Sequence, residues 1–414
     1  MTEVEAYIPR LVDSALARIV ETLPAVSVVG PRAVGKTTSA QRLAASAIRF
    51  DREAEAAPFH VDADAALGRM QAPVLLDEWQ RLPEVLAAVK RRVDDHPVPG
   101  QFLLTGSVRI GTQYTWPATG RVVRQSVFGL TRREIARSAA PSLVRRMADV
   151  MTLAETPAAD LSVYDYLDLA AEGGFPDVVS HRHDADTRAR WFESYLAELA
   201  TNDVKLAGSD PDPAKLAAFT KAVALNSSRI LDQATLRDAA GISKHTAALY
   251  EDLLESVFFS ERVPAWRSDR LDRLAALPKR YILDSGLLMH ILGVDASAAV
   301  SSPQILGAVL DTFVAAQLRP ELAIQAHPPK LLHLRDKGGR HEVDLVIEFP
   351  RRRIVAIEIK ATAAPSLDDA RHLIWLRDRL GGDFIGGIVF HTGPASFVLS
   401  PGIVATPIST IWTA

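Results

Sequence analysis

Near the start of the chain, Gly30, Pro31, Arg32, Ala33, Val34, Gly35, Lys36, Thr37 and Thr38 form an unbroken run with chemical meaning. The pattern G-x-x-x-x-G-K-T follows directly on the apolar residues Val26, Ser27, Val28 and Val29. A helix-like stretch, 37–45, comes after it. Backbone N–H groups near Gly35, gathered at the positive end of a helix, suit phosphate oxygens. In such a loop Lys36 reaches the β- and γ-phosphates and the Thr37 hydroxyl ligates Mg²⁺. The expected ligands are ATP and Mg²⁺. The bland reading, a glycine-containing turn between a strand and a helix, leaves Lys36 and Thr37 without a task.

Hydrolysis needs more groups, and two later runs offer them. Val74-Leu75-Leu76-Asp77-Glu78 is an apolar strand ending in two acids. Strand ends face the ligand crevice in doubly wound sheets, so Asp77 is expected in the Mg²⁺ shell and Glu78 beside the attacking water. Phe102-Leu103-Leu104-Thr105-Gly106-Ser107 ends in small polar residues, and Thr105 is the candidate sensor of the γ-phosphate or the water. A cation for the transferring group would come from Arg109, Arg121 or Arg124. Gly120-Arg121 is favoured because glycine permits close approach, from the same chain or from a neighbour in a homo-oligomer.

A second constellation lies far downstream. The runs 341–349 and 354–360 read as two strands joined by Pro350-Arg351-Arg352-Arg353. Folding about that turn sets Asp344 opposite Glu358, and alternation puts Glu358 and Lys360 on one face. Asp311, on a preceding helix, would add a third carboxylate. Two carboxylates, Asp344 and Glu358, suit a metal such as Mg²⁺, and a lysine supports charge in a phosphodiester transition state. A structural salt-bridge cluster is the competing reading of the same spacing.

The elements that must position these groups can be read coarsely. Strand-like runs at 26–30, 48–51, 74–77 and 102–105 alternate with helical stretches, which predicts an α/β fold with a mainly parallel, doubly wound sheet. Helical patterning fills 163–225, where Trp191, Tyr195 and Leu199 are spaced as core. Two amphipathic helices flanking Gly241-Ile242-Ser243, with a strand at 257–263, predict a helix–turn–helix of winged-helix type. A helix at 305–318, an antiparallel strand series, a helix at 368–380 and a final strand at 387–391 follow. The expected domains are 1–140, 141–229, 230–300 and 301–414.

Composition narrows the classes. In 414 residues there are no cysteines, which removes disulfides, thiolate catalysis and cysteine-ligated metals. The formal net charge of −3 requires any contact with DNA or RNA to come from a local basic patch. Lys244 and His245 on the second helix of the pair are offset by Glu251, Asp252 and Glu255. With no signal-peptide core and no run of about 18 apolar residues, a cytoplasmic protein without a membrane partner is expected.

Taken together, these motifs resemble a widespread prokaryotic family of AAA-superfamily ATPases whose carboxy-terminal region, of unknown function, ends in a restriction-endonuclease-like core. The resemblance spans almost the whole chain. It rests on the loop at 30–37, L-L-D-E-W-Q at 75–80, L-L-T-G-S at 103–107 and Gly120-Arg121. Downstream it adds E-G-G-F-P at 172–176, P-K-R-Y-I-L-D-S-G-L at 278–287 and R-D…E-V-D-L-V-I-E…I-E-I-K between 335 and 360. It implies nucleotide roles for Lys36, Thr37, Asp77, Glu78 and Thr105, and it matches Asp344, Glu358 and Lys360 to the PD-(D/E)XK nuclease core. Two departures stand out: Asp311 where such families carry Glu, and Phe128-Gly129-Leu130 where relatives favour a Pro-Leu pair. The implied function is an ATP-dependent switch or motor on nucleic acid with a metal-dependent nuclease-like domain. The alternative is an ATPase whose carboxy-terminal domain only binds nucleic acid or a protein partner. A small-molecule kinase is a third reading, weakened by the large carboxy-terminal half.

Overall fold

The computed structural model describes residues 7–107, 120–180, 184–206, 211–267, 276–336 and 338–413. Arg109 lies outside them.

The first sheet has five strands: β1 (Ala25–Val29), β2 (Ser46–Arg49), β3 (Val74–Asp77), β4 (Phe102–Gly106) and β5 (Val122–Ser126). Their order is β2-β3-β4-β1-β5, all parallel. Every residue of β1, β3 and β4 is buried, because helices cover both faces of a parallel sheet. That is why these strands read as continuous apolar runs. The expected strands recur within a residue or two, and the register aligns Val28, Thr105 and Asp77 in one row at the crevice end.

The middle of the chain is helical up to β6 (Arg229–Ile230). Tyr195 and Leu199 are buried as expected, while Trp191 is only partly covered and stacks on Tyr195. The helices Gln233–Ala240 and Lys244–Ser256 are joined through Gly241, whose φ of 63° is the left-handed turn that ends the first. Ser243 caps the second by accepting from the Thr246 N–H at 3.0 Å. Then come β7 (Ser260–Val263) and β8 (Lys279–Ile282), and the three strands pair antiparallel in the order β6-β8-β7.

The last sheet has six strands in the order β13-β14-β12-β11-β10-β9. They are β9 (Lys330–Arg335), β10 (Glu342–Glu348), β11 (Ile354–Ile359), β12 (Phe384–His391), β13 (Phe397–Ser400) and β14 (Ile403–Pro407). The first three form the expected antiparallel meander, but β11 pairs parallel with β12, and β12 with β14. The strand expected at 387–391 is therefore not the last. The short runs that follow it carry too little patterning to announce two further strands.

One helix, Pro303–Ala323, joins everything. It packs against β5 of the first sheet and β11 of the last, and is buried almost continuously from Val309 to Leu322. Its Gln317 accepts from the Arg132 N–H at 2.7 Å, and its Glu321 pairs with Arg133 at 2.7 Å. Pro320, between these two, removes a hydrogen bond from the last turn. A single apolar core runs from Val12 through Phe313 to Trp412, so it crosses all the sequence-level boundaries.

Candidate nucleotide site and carboxylate–lysine cluster

The loop between β1 and the short helix Lys36–Gln41 is fixed by close backbone approach. A Cβ on Gly30 would lie 1.9 Å from the Val127 carbonyl oxygen, and Gly35 has φ 88°. No other residue type fits the first position without moving Val127, the residue after β5. Lys36 is only 6% exposed, and its ammonium donates to the Pro31 carbonyl at 2.6 Å. A buried amine held by a loop carbonyl is ready to exchange that partner for phosphate oxygens.

Asp77 is the hinge of the site. Its Oδ1 accepts from the Thr37 hydroxyl at 2.7 Å and from the Thr105 hydroxyl. The expected metal-ligating pair and the expected sensor thus converge on one carboxylate oxygen. Arg49, at the end of β2, brings a guanidinium to 3.9 Å from the other oxygen, Oδ2. Nothing in its local sequence marks Arg49; only the pairing of β2 with β3 puts it there. Glu78 follows in a left-handed conformation, φ 55°, which is uncommon for a non-glycine residue and is typical of functional sites. The Gln80 amide donates to its Oε2. Burial raises the Glu78 carboxyl above its usual pKa, and Lys36 opposes that rise. A carboxylate tuned upward is the better proton acceptor near neutral pH.

Residues from the helical middle complete the wall. Pro176, Asp177, Ser180 and Trp191 line the same cavity as Gly35, Lys36, Thr37, Thr38 and Glu78. The Trp191 indole donates to Asp177 at 2.6 Å, and Arg32 of the loop pairs with Glu198 at 3.3 Å across an exposed edge. The E-G-G-F-P turn reaches this place by locking onto Phe128-Gly129-Leu130: the Leu130 N–H donates to the Gly174 carbonyl at 2.6 Å. A Cβ on Gly129 or Gly174 would meet backbone at 3.0 and 2.6 Å.

Arg121 is not brought to the loop of its own chain. It precedes β5, whose first residue pairs with Ala25, the first of β1, whereas the phosphate loop follows the last. That separates it from the crevice by a strand length, roughly 13 Å. Its guanidinium there pairs with Asp94 at 2.7 Å. Arg124, within β5, is exposed.

The downstream residues do converge. The β10–β11 register, Leu345 on Ile357 and Glu348 on Ile354, extends to Asp344 opposite Glu358. Lys360 pairs with Glu358 at 3.2 Å. Asp311 also arrives, but not as a free ligand. The Lys279 ammonium, 2% exposed at the side chain, lies 2.5 Å from Asp311 Oδ2 and 3.3 Å from Asp344 Oδ1. The Tyr281 hydroxyl donates to Asp311 Oδ1 at 2.8 Å, and the Ile359 N–H donates to Asp344 Oδ2 at 3.0 Å. Lys279 and Tyr281, two apart on β8, share a face; the motif P-K-R-Y-I-L-D contained them, but their role depends on β8 meeting a distant sheet.

Burial and neighbouring charge act on every member of this cluster. Burial raises Glu358 well above the carboxylate range, reinforced by the adjacent Asp344 charge. For Asp344 burial acts in the same upward direction, but Lys279 and the Ile359 N–H outweigh it and hold the carboxyl low. Burial pulls the Lys279 ammonium down, yet Asp311 and Asp344 keep it charged. Asp311 itself is pushed up to about 6 by burial, against the pull of Lys279. Lys279 faces Asp311 and Asp344, and Lys360 faces Glu358. Among the described residues no group of three or more His, Cys, Asp or Glu side chains is placed to hold a metal ion. A divalent ion between Asp311 and Asp344 would have to displace Lys279, so that pair does not fit a metal as it stands.

One consequence can be measured. A carboxyl with a raised pKa keeps a proton in the fold that the unfolded chain has already released. Folding then takes up a proton, and stability falls as pH rises from the ordinary carboxyl range toward the raised value. Glu358→Gln keeps the shape and the neutral form. Its stability relative to the original chain is therefore expected to improve as pH rises above the ordinary carboxyl range, by at most about 1.4 kcal/mol per unit. Parallel denaturation profiles above that range would mean that Glu358 is ionised in the fold.

Comparison with known proteins places names on these regions. Residues 23–136 match the model of an AAA domain, residues 163–298 that of a domain of unknown function, DUF8612, and residues 306–411 that of another, DUF4143. Uncharacterized proteins of Mycobacterium tuberculosis and Mycobacterium bovis are each 28% identical over 405 residues, covering 96% of this chain and 83% of theirs. No helix among the described residues is long and apolar enough to cross a membrane. The chain thus joins an amino-terminal AAA domain of the P-loop ATPase superfamily to a carboxy-terminal DUF4143 domain.

Proposed function

We propose that this chain is a Mg²⁺-dependent ATPase that works as a switch or motor, and that its carboxy-terminal domain binds nucleic acid or a protein partner without cutting it. One observation carries the ATPase: Asp77 collects the Thr37 and Thr105 hydroxyls at the strand ends beside buried Lys36 and strained Glu78. In this reading Thr37 and Asp77 hold Mg²⁺, which neutralises phosphate charge when bound. Lys36 and the backbone of 30–38 hold the phosphates. Glu78 takes the proton of the attacking water, and Thr105 fixes Asp77. Arg121 serves only from a second copy in a homo-oligomer, since its own loop is out of reach.

The antiparallel strands after the helix pair favour a winged-helix reading of the middle region. Arg262 and Arg280 engage Glu251, Asp252 and Glu255, which leaves Lys244 and His245 exposed on the first turn of the second helix. That arrangement removes most of the acidic opposition to a phosphate backbone.

A cutting nuclease is the second reading, favoured by the convergence of Asp344, Glu358 and Lys360. Lys279 stands against it. The test incubates the protein with single- and double-stranded DNA and RNA, with Mg²⁺ or Mn²⁺, with and without ATP, beside Lys36→Ala and Lys360→Ala. The expected result is ATP turnover lost in Lys36→Ala and no cleavage by any form. Metal-dependent cleavage lost in Lys360→Ala would establish the nuclease instead, and turnover persisting in Lys36→Ala would remove the ATPase assignment.

A further inference from the structure

Arg10 precedes the first helix, Leu11–Thr22, and carries no recognisable motif, yet its guanidinium is buried and each of its nitrogens donates a hydrogen bond. Nη1 donates to the Val34 carbonyl at 2.7 Å, Nη2 to the Phe128 carbonyl at 2.7 Å, and Nε to Glu134 Oε1 at 3.0 Å. Glu134 is itself fixed: Oε1 accepts from the Leu11 N–H and Oε2 from the Thr131 N–H, both at 2.7 Å. An ion pair that merely fastened the amino-terminal segment would need only Glu134. Here two of three hydrogen bonds go instead to backbone carbonyls on the two strips of chain that enclose the loop. Val34 is inside the loop, and Phe128 follows Val127, whose carbonyl presses on Gly30.

The peptide between Val34 and Gly35 is not among the cis bonds, so its C=O and N–H point in opposite directions in one plane. Whatever holds the carbonyl sets the amide. We propose that Arg10 is a positioning residue for nucleotide phosphate: by pinning the Val34 carbonyl behind the loop, it turns the Gly35 N–H into the cavity that Lys36 and Thr37 line. This rests on the nucleotide reading of that cavity and adds a residue outside the loop motif on which its donor geometry depends. Only a planar fork addresses three acceptors at once; a lysine in its place reaches one of them.

Calorimetric titration of ADP and ATP into the full chain, Arg10→Lys and Arg10→Ala provides the test, with Lys36→Ala as reference. Both nucleotides are expected to bind the Arg10 variants about tenfold or more weakly, the loss that goes with a charge-assisted hydrogen bond. Ethylguanidinium is expected to restore part of that affinity to Arg10→Ala and none to Lys36→Ala. In protein labelled with ¹⁵N-glycine, the Gly35 amide signal is expected to shift on adding ADP to the original chain and to shift less in Arg10→Lys. If Arg10→Ala does not fold, Arg10→Lys decides. Unchanged affinity in both variants overturns the proposal. So does weakened affinity with the full Gly35 shift, which would mean general loosening. Failure of the original chain to bind either nucleotide would instead remove the nucleotide reading itself, and this inference with it.

Discussion

Glu78→Gln is expected to lower ATP turnover by roughly 10²- to 10⁴-fold, the usual range for losing a positioned base, while leaving ATP bound. The amide has the same shape and fits the same left-handed turn, so the Thr37–Asp77–Thr105 assembly next to it is undisturbed. What disappears is the proton acceptor. Binding should hold or tighten, because a buried carboxylate close to the phosphate site repels the nucleotide and its amide does not. Turnover measured by phosphate release, beside nucleotide affinity by calorimetry, separates the two effects. A variant that hydrolyses ATP at the original rate would move the base elsewhere. One that no longer binds ATP would make Glu78 a structural support of the loop.

Lys279→Met is expected to destabilise the fold by about 3–5 kcal/mol, the range for stripping one partner from a buried ion pair. Methionine fills similar space, so the loss is electrostatic: Asp311 and Asp344 would face each other with Tyr281 and the Ile359 N–H as their remaining donors. Asp311→Asn in the same chain should recover much of the loss by removing the orphaned charge. Denaturant titration of the single and double variants reads both terms. Added Mg²⁺ or Mn²⁺ provides a second readout, since anything that binds only the folded form raises its stability. Metal should stabilise Lys279→Met more than it stabilises the original chain, because two carboxylates are newly vacant there. Stability in Lys279→Met equal to that of the original chain would mean that the lysine is not what balances those carboxylates.

The parts of this protein that were legible in its sequence share a cause. β1, β3 and β4 announce themselves because a strand buried on both faces has no choice but to be apolar, and Asp77 and Thr105 are conspicuous where that rule breaks. Asp344 could be set opposite Glu358 because a short turn fixes hairpin register. Lys279 was illegible as a partner because it meets Asp344 across 65 positions, and no local pattern encodes which two sheets abut. Arg10 was missed for a related reason: two of its acceptors are backbone carbonyls, which every residue possesses. Arg121 was placed by its neighbouring glycine, whereas strand polarity governs. A cation just before a parallel strand stands at the end away from the crevice.

The helix Pro303–Ala323 has a consequence for how the two regions are held. The AAA domain grips it at Gln317 and Glu321, on either side of Pro320, while Asp311 lies nine residues before that proline. A missing backbone hydrogen bond makes a helix compliant where it is missing. The grip at Glu321 falls beyond Pro320, and the grip at Gln317 falls before it. One buried helix is thus a shared support: its last turns hold Arg132 and Arg133, and its middle presents Asp311 to Lys279.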